Sequence, residues 1–247
     1  MRANVERAEP GRKLYRYYPA QGPFRRELYP RHMEFFCAGG VHEPIPCWCP
    51  EDCDGSPHRE RLMLAANRVG KTEGVGGFET ALHLTGRYPD WWKGHRIERP
   101  TDVWACGKRN ESTRDIVQMK LFGPVAWDGR SKRVAGTGLI PAEDIGAITW
   151  KRGVADLIDT ARIKNRFGGW SLLGLKSYEQ GRGAFEGTEK DLVWYDEEPP
   201  LDIYTEARMR LMTKKGHALL TFTPLEGMSD VVQAFLPGGR LPGEAVF

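Results

Sequence analysis

Apolar and polar positions change rhythm along this chain, and each change marks an element. Residues 1–30 interleave Arg, Tyr and Pro with little period, which predicts an arm or an extended wrap over the body. The segment PRHMEFFCAGG predicts one helix, stopped by Gly39 and Gly40. Residues 41–58 carry four prolines and three cysteines and predict a loop. After that, strand and helix patterns alternate. RLMLAA (61–66) is an apolar run of strand length; a Gly-containing turn follows, then Val75, Phe78 and Leu82 at helical spacing. TDVWACG (101–107) predicts a strand, and NESTRDIVQMKLF (110–122) a helix opened by a capping Asn or Ser. Runs at 162–166 and 170–175 flank Gly168 and Gly169 as a hairpin would. A polar, glycine-rich loop leads to the strand LVWYDEE (192–198), then a helix near 202–212 and the strand HALLTFTP (217–224). Strands separated by helices predict an α/β fold with a mainly parallel central sheet flanked by helices, which places ligands at the carboxyl ends of its strands.

Composition adds boundaries. With 40% apolar and 28% charged residues over 247 positions, the chain is an ordinary globular one, long enough for a sizeable core without disulfides. Net charge is only +3. Residues 1–31, however, hold eight Arg or Lys against three Glu, so one end is basic and the body is not. No run approaches the roughly 18 apolar residues of a membrane span, and no membrane partner is expected. Five cysteines, three of them within seven residues, suit a reducing compartment better than a disulfide framework.

Candidate chemistry begins at AANRVGKT, Ala65–Thr72, between a strand and a helix as a phosphate-binding loop requires. Backbone N–H groups of Ala65, Asn67, Arg68, Val69 and Gly70 are candidates to surround phosphates, with Lys71 as mobile cation and the Thr72 hydroxyl on Mg²⁺. The usual pattern opens with Gly; here Ala65 stands there. The second signal lies 125 positions beyond Lys71, where the strand LVWY ends on Asp196 and Glu197. Two adjacent carboxylates can divide the work, Asp196 holding Mg²⁺ and Glu197 orienting and deprotonating water. A strand running into an acidic helix cap is the bland alternative for that motif alone. TFTP (221–224) adds two hydroxyls at the same expected sheet edge. Together the motifs point to a phosphate-binding-loop fold that hydrolyses a nucleoside triphosphate with Mg²⁺.

The order ANRVGKT, LVWYDEEPP, TFTP resembles the ATPase domain of bacteriophage terminase large subunits, over about residues 24–236. The resemblance implies an ATPase that drives double-stranded viral DNA into a procapsid, in a homo-oligomeric ring on a portal protein, with a small terminase subunit as partner, in the host cytoplasm. It implies Lys71 and Thr72 on phosphate and Mg²⁺, Asp196 on Mg²⁺, Glu197 as catalytic carboxylate and Thr223 as coupling residue. It makes Tyr29 and His32, with Pro30, candidates for contact with adenine. Its domain plan is a basic arm (1–30), the ATPase domain (31–236) with the Cys/Pro-rich insertion 41–58, and the start of a linker (237–247) to a C-terminal nuclease domain absent from this chain, so that no DNA cleavage is expected of it. For a cation on the transition state, Arg68 in the loop is the cis candidate and Arg182, in GRGAF, the trans candidate.

Two features of the chain carry chemistry that the family motifs do not explain. Cys47, Cys49, Cys53 and His58 form C-x-C-x₃-C-x₄-H, a donor set that suits tetrahedral Zn²⁺, against the alternative of reduced, merely packed thiols. The arm segment YRYYPAQGPFRREL interleaves charge and aromatics, a combination that binds nucleic acid or docks on a partner subunit. Alternatives to the packaging motor remain at this point: another nucleic-acid translocase or helicase-like ATPase, or a nucleotide-binding assembly module without turnover.

Overall fold

The computed structural model describes residues 13–43, 53–127, 129–224, 227–236 and 244–247. An eight-stranded sheet runs through it in the order β10-β1-β9-β8-β2-β7-β6-β5. The strands are β1 (Glu60–Leu64), β2 (Asp102–Gly107), β5 (Ile145–Trp150), β6 (Ile158–Lys164), β7 (Trp170–Ser177), β8 (Leu192–Asp196), β9 (His217–Phe222) and β10 (Glu244–Val246); β3 (Val125–Trp127) and β4 (Lys132–Val134) pair apart from it. From β10 to β7 every pairing is parallel, and the predicted hairpin β6/β7 and its neighbour β5 close the sheet antiparallel.

Helices cover both faces. They are α1 (Pro30–Ala38), α2 (Phe78–Thr85), α3 (110–122), α4 (Leu201–Met212) and α5 (Asp230–Phe235). Side chains alternate across a strand, so the apolar runs feed two cores. Val103, Ala105, Leu192, Trp194 and Leu219 face one core with Phe36, Phe78 and Leu121. Trp104, Cys106, Val193, Tyr195, Ala218 and Leu220 face the other with Ile203, Tyr204 and Phe235. That two-sided burial explains why β8 and β9 read as unbroken apolar runs, whereas no residue of the edge strand β5 is fully buried.

Two stretches bear on the expected domain plan. Residues 237–247 were expected to begin a linker, yet Glu244–Val246 form β10, parallel to β1; Phe247 N–H donates to the Leu62 carbonyl at 2.8 Å and its ring packs on Phe35. These residues pair along the side of β1 that faces away from β9, so that β10 is the outermost strand of the sheet at this end. In the segment read as an arm or an extended wrap over the body, Leu14 and Tyr18 are buried against Phe36 and Phe78, while Phe24 and Leu28 are exposed. Among the described residues, no helix is long and apolar enough to cross a membrane.

Candidate active site

β1, β9, β8, β2 and β7 are parallel neighbours, so their carboxyl ends open on one sheet edge. There a cleft of ≈ 850 Å³ is lined by Asn67, Lys71 and Thr72 after β1, Lys108 and Arg109 after β2, Tyr178 and Glu179 after β7, Asp196 and Glu197 at the end of β8, and Thr221 and Thr223 around the end of β9. Open parallel sheets concentrate ligand chemistry at this edge.

The loop after β1 is shaped by backbone sign. Gly70 has φ 86° and Arg68 φ 68°. Gly70 adopts this region freely, whereas Arg68 pays about 1 kcal/mol for it. Ala65 is not among the described residues with positive φ, which accounts for Ala in place of the usual Gly. Residues Lys71–Gly77 then form a wide π-type turn that runs into α2. Its glycines admit close neighbours: a Cβ at Gly76 would lie 2.0 Å from the Trp194 indole nitrogen of β8, and one at Gly74 2.7 Å from the Tyr18 hydroxyl.

β9 lies between β1 and β8, so its threonines reach both motifs. The Lys71 ammonium donates to the Thr223 hydroxyl at 2.8 Å and to the Ala66 carbonyl at 3.1 Å; Thr223 donates to the Ala65 carbonyl at 2.8 Å, with Asn67 Oδ1 at 3.0 Å. Thr221 accepts from the Trp194 indole at 2.8 Å and donates to Asp196 Oδ1 at 3.1 Å. Thr223 therefore touches the phosphate-loop motif and Thr221 the acidic one.

Asp196 is buried, and burial pushes its carboxyl up to about 7; the Glu197 charge adds to the rise, while hydrogen bonds from Thr72 and Thr221 and the Lys71 charge oppose it. Burial lowers Lys71 below its ordinary value, with Asp196 opposing. Glu197 takes φ 71°, a strained conformation for a side-chain-bearing residue. Its carbonyl accepts from the Tyr178 hydroxyl at 2.9 Å, and its N–H donates to the Thr221 carbonyl at 3.3 Å. The Thr72 hydroxyl beside the Asp196 carboxylate forms an all-oxygen pair of the kind a hard divalent cation takes.

Other expected residues fall elsewhere. Arg68 is exposed on the loop and absent from the cleft lining. Arg182 also lies outside the cleft, its guanidinium paired with Glu206 of α4 at 2.9 Å. His32 is buried behind the phosphate loop, where a Cβ at Gly70 would meet its ring at 3.5 Å; Tyr29 stacks on it at 5.4 Å and Tyr18 hydrogen-bonds its Nδ1 at 2.7 Å. Cys53 and His58 come together, with a third donor from His42; Cys47 and Cys49 lie outside the described residues. Lys108, Arg109 and Tyr178 were not foreseen. The first two follow directly on the strand TDVWACG, and the rule that ligands sit at strand carboxyl ends could have found them.

Comparison with known proteins gives this site a family. A family model described as "Terminase large subunit, T4likevirus-type, N-terminal" matches residues 62–242. The chain is 37% identical over 201 residues to the "Terminase, large subunit" of Salmonella phage P22, covering 74% of this chain and 39% of that protein. It thus spans about two fifths of the length of that curated relative. A solved structure of large terminase from the thermophilic bacteriophage D6E in complex with ADP aligns with a TM-score of 0.42 at 14% identity, over 69% of this chain and 35% of that one. With the family match running from β1 through the acidic pair and the TFTP threonines, the chain belongs to the large terminase subunit family, in its N-terminal region.

Proposed function

We propose that this chain hydrolyses ATP with Mg²⁺ and that the hydrolysis powers translocation of double-stranded viral DNA into a procapsid. The observation that carries the reading is the meeting in one cleft of the loop 65–72 and the Asp196–Glu197 pair, joined through Thr221 and Thr223. The N–H groups of the loop would surround the phosphates and Lys71 would follow the transferred charge. Thr72 and Asp196 are the residues that fit Mg²⁺, which would neutralise charge between phosphates and favour the ionised form of Asp196. Glu197, strained and pinned through its carbonyl, would orient the attacking water and take its proton. Thr223, bonded to Lys71, would sense the loss of phosphate and pass it to β9.

Arg109 and Lys108 in the cleft join Arg68 as cis cations, while Arg182, outside the cleft of its own chain, would act only on a neighbour in a ring. Tyr29 and His32 would support the loop and the adenine side. DNA, the portal protein, the small subunit and further copies of the chain are the proposed partners, and the host cytoplasm the place of action.

Glu197→Gln tests the chemistry. We expect it to keep ATP binding and to lower phosphate release by a factor of about 10² or more, as loss of a general base does. Lys71→Ala should weaken nucleotide binding itself. Unchanged turnover in Glu197→Gln would sink the assignment. Turnover absent from the wild-type chain, with binding intact, would instead favour an assembly module.

A further inference from the structure

Away from the cleft, the connection from α1 to β1 gathers three metal-binding side chains: His42, Cys53 and His58. The Cys53 sulfur lies 3.7 Å from His42 Nε2 and 3.5 Å from His58 Nε2, and the two rings are 4.8 Å apart. Zn–S and Zn–N bonds of about 2.3 and 2.05 Å at a tetrahedral angle put the two donor atoms about 3.6 Å apart. Both separations fall at that edge length.

The surroundings fix the His42 donor. His42 Nδ1 lies 3.0 Å from the Gly40 carbonyl, an acceptor, so Nδ1 carries the proton and Nε2 presents its lone pair to Cys53. A carbonyl behind a ligating imidazole is the usual partner of a protein-bound metal. The backbone holds the ligands in place independently of any ion: His42 N–H donates to the Gly55 carbonyl at 3.0 Å and His58 N–H to the Ala38 carbonyl at 2.8 Å. One thiolate and two imidazoles are a borderline-soft set, matched to Zn²⁺ and poorly matched to Mg²⁺ or Ca²⁺.

We propose that His42 Nε2, Cys53 Sγ and His58 Nε2 bind one Zn²⁺, with a fourth position for solvent or one more ligand. The thiol loses its proton to solvent on binding, and no electron transfer is involved. The site lies at the amino end of β1, whereas the nucleotide cleft lies at the carboxyl end, so the ion is structural: it ties the end of α1 to the strand that carries the phosphate loop.

The test is metal content of the full chain, purified without a histidine tag from zinc-supplemented cells. About one equivalent of zinc is expected in the wild type, falling several-fold in His42→Ala, whose side chain is only partly buried. Replacement by Co²⁺ should give a thiolate-to-metal absorption band that Cys53→Ser removes, while Lys71→Ala, at the other end of β1, keeps it. Less than about one tenth of an equivalent in the wild type would overturn the proposal. So would full zinc in a folded His42→Ala variant, or a cobalt band that survives Cys53→Ser. None of these readings depends on ATP turnover, so the site and the proposed motor activity can fail separately.

Discussion

Arg61 and Glu79 show what a single pair of residues does in this fold. Both are fully buried, with guanidinium nitrogens at 2.6 and 3.1 Å from the carboxylate. Arg61 also donates to the Phe35 carbonyl at 2.7 Å and lies over the Phe35 ring, while His83 and Tyr88 extend the network from Glu79. Removing one member leaves a charge in the core without its partner. Arg61→Met should therefore cost about 3–5 kcal/mol in urea unfolding, and Arg61→Met with Glu79→Leu should recover much of it. A single-variant loss below about 1 kcal/mol would show that the pair does not hold β1 to α2. Neither charge stood out in the sequence, because RLMLAA reads as apolar and Glu79 follows a helical pattern; their pairing needs the fold. Lys71, Thr72, Asp196 and Glu197 were legible for the opposite reason. Each ends a short, local strand-to-loop pattern whose chemistry depends on spacing along the chain.

At the scale of elements, the turn Lys71–Gly77 and the strand β8 meet at Gly76 and Trp194, between the two motifs. The Trp194 indole donates to Thr221, and Thr221 donates to Asp196. A methyl group at Gly76 would lie 2.0 Å from the indole nitrogen, so either the turn or the ring must move. Gly76→Ala should cost about 1–3 kcal/mol by overpacking and, because displacement passes through Thr221 to the carboxylate, should also lower ATP turnover. Adding Trp194→Phe should restore part of the stability in thermal unfolding but not the lost hydrogen bond. Gly76→Ala with wild-type melting and turnover would show that the contact is slack. β8 and β9 were legible as apolar runs because both their faces are buried, and the β6/β7 hairpin because of Gly168 and Gly169. β3, β4 and β10 have three residues each, too few for a period, and are strands only because a neighbouring edge pairs with them. His42 was missed likewise: it stands eleven positions before Cys53, a gap that the fold closes with backbone bonds to Gly55 and Ala38 among others.

Across the whole molecule, buried histidines make stability depend on pH. His32, between Tyr18 and the phosphate loop, is driven down to about 4 by burial, against a partial rise from a hydrogen bond with the Val69 backbone. His95 is also driven to about 4 by burial, and His217, stacked on it at 4.5 Å, lies well below its ordinary value. These groups stay neutral in the fold while the unfolded chain takes up protons below about 6.5. The unfolded state then binds more protons, so stability is present above pH 6.5 and is lost as pH falls toward 4. Asp196 has the opposite sign: raised to about 7, it stabilises at low pH and loses that contribution as pH rises through 7. The total curve mixes these effects, so the informative quantity is a difference between variants. For His32 alone, a change from 6.5 to about 4 corresponds to about 3 kcal/mol at pH 4. His32→Gln should therefore be less stable than wild type at pH 8, where the packing with Tyr18 and Tyr29 is lost, and should close that gap by about 3 kcal/mol between pH 6.5 and 4. Urea unfolding of both proteins at intervals from pH 8 to 4 measures it. Parallel curves would mean that His32 takes up its proton in the folded state as readily as in the unfolded one, and that the segment behind the phosphate loop admits water.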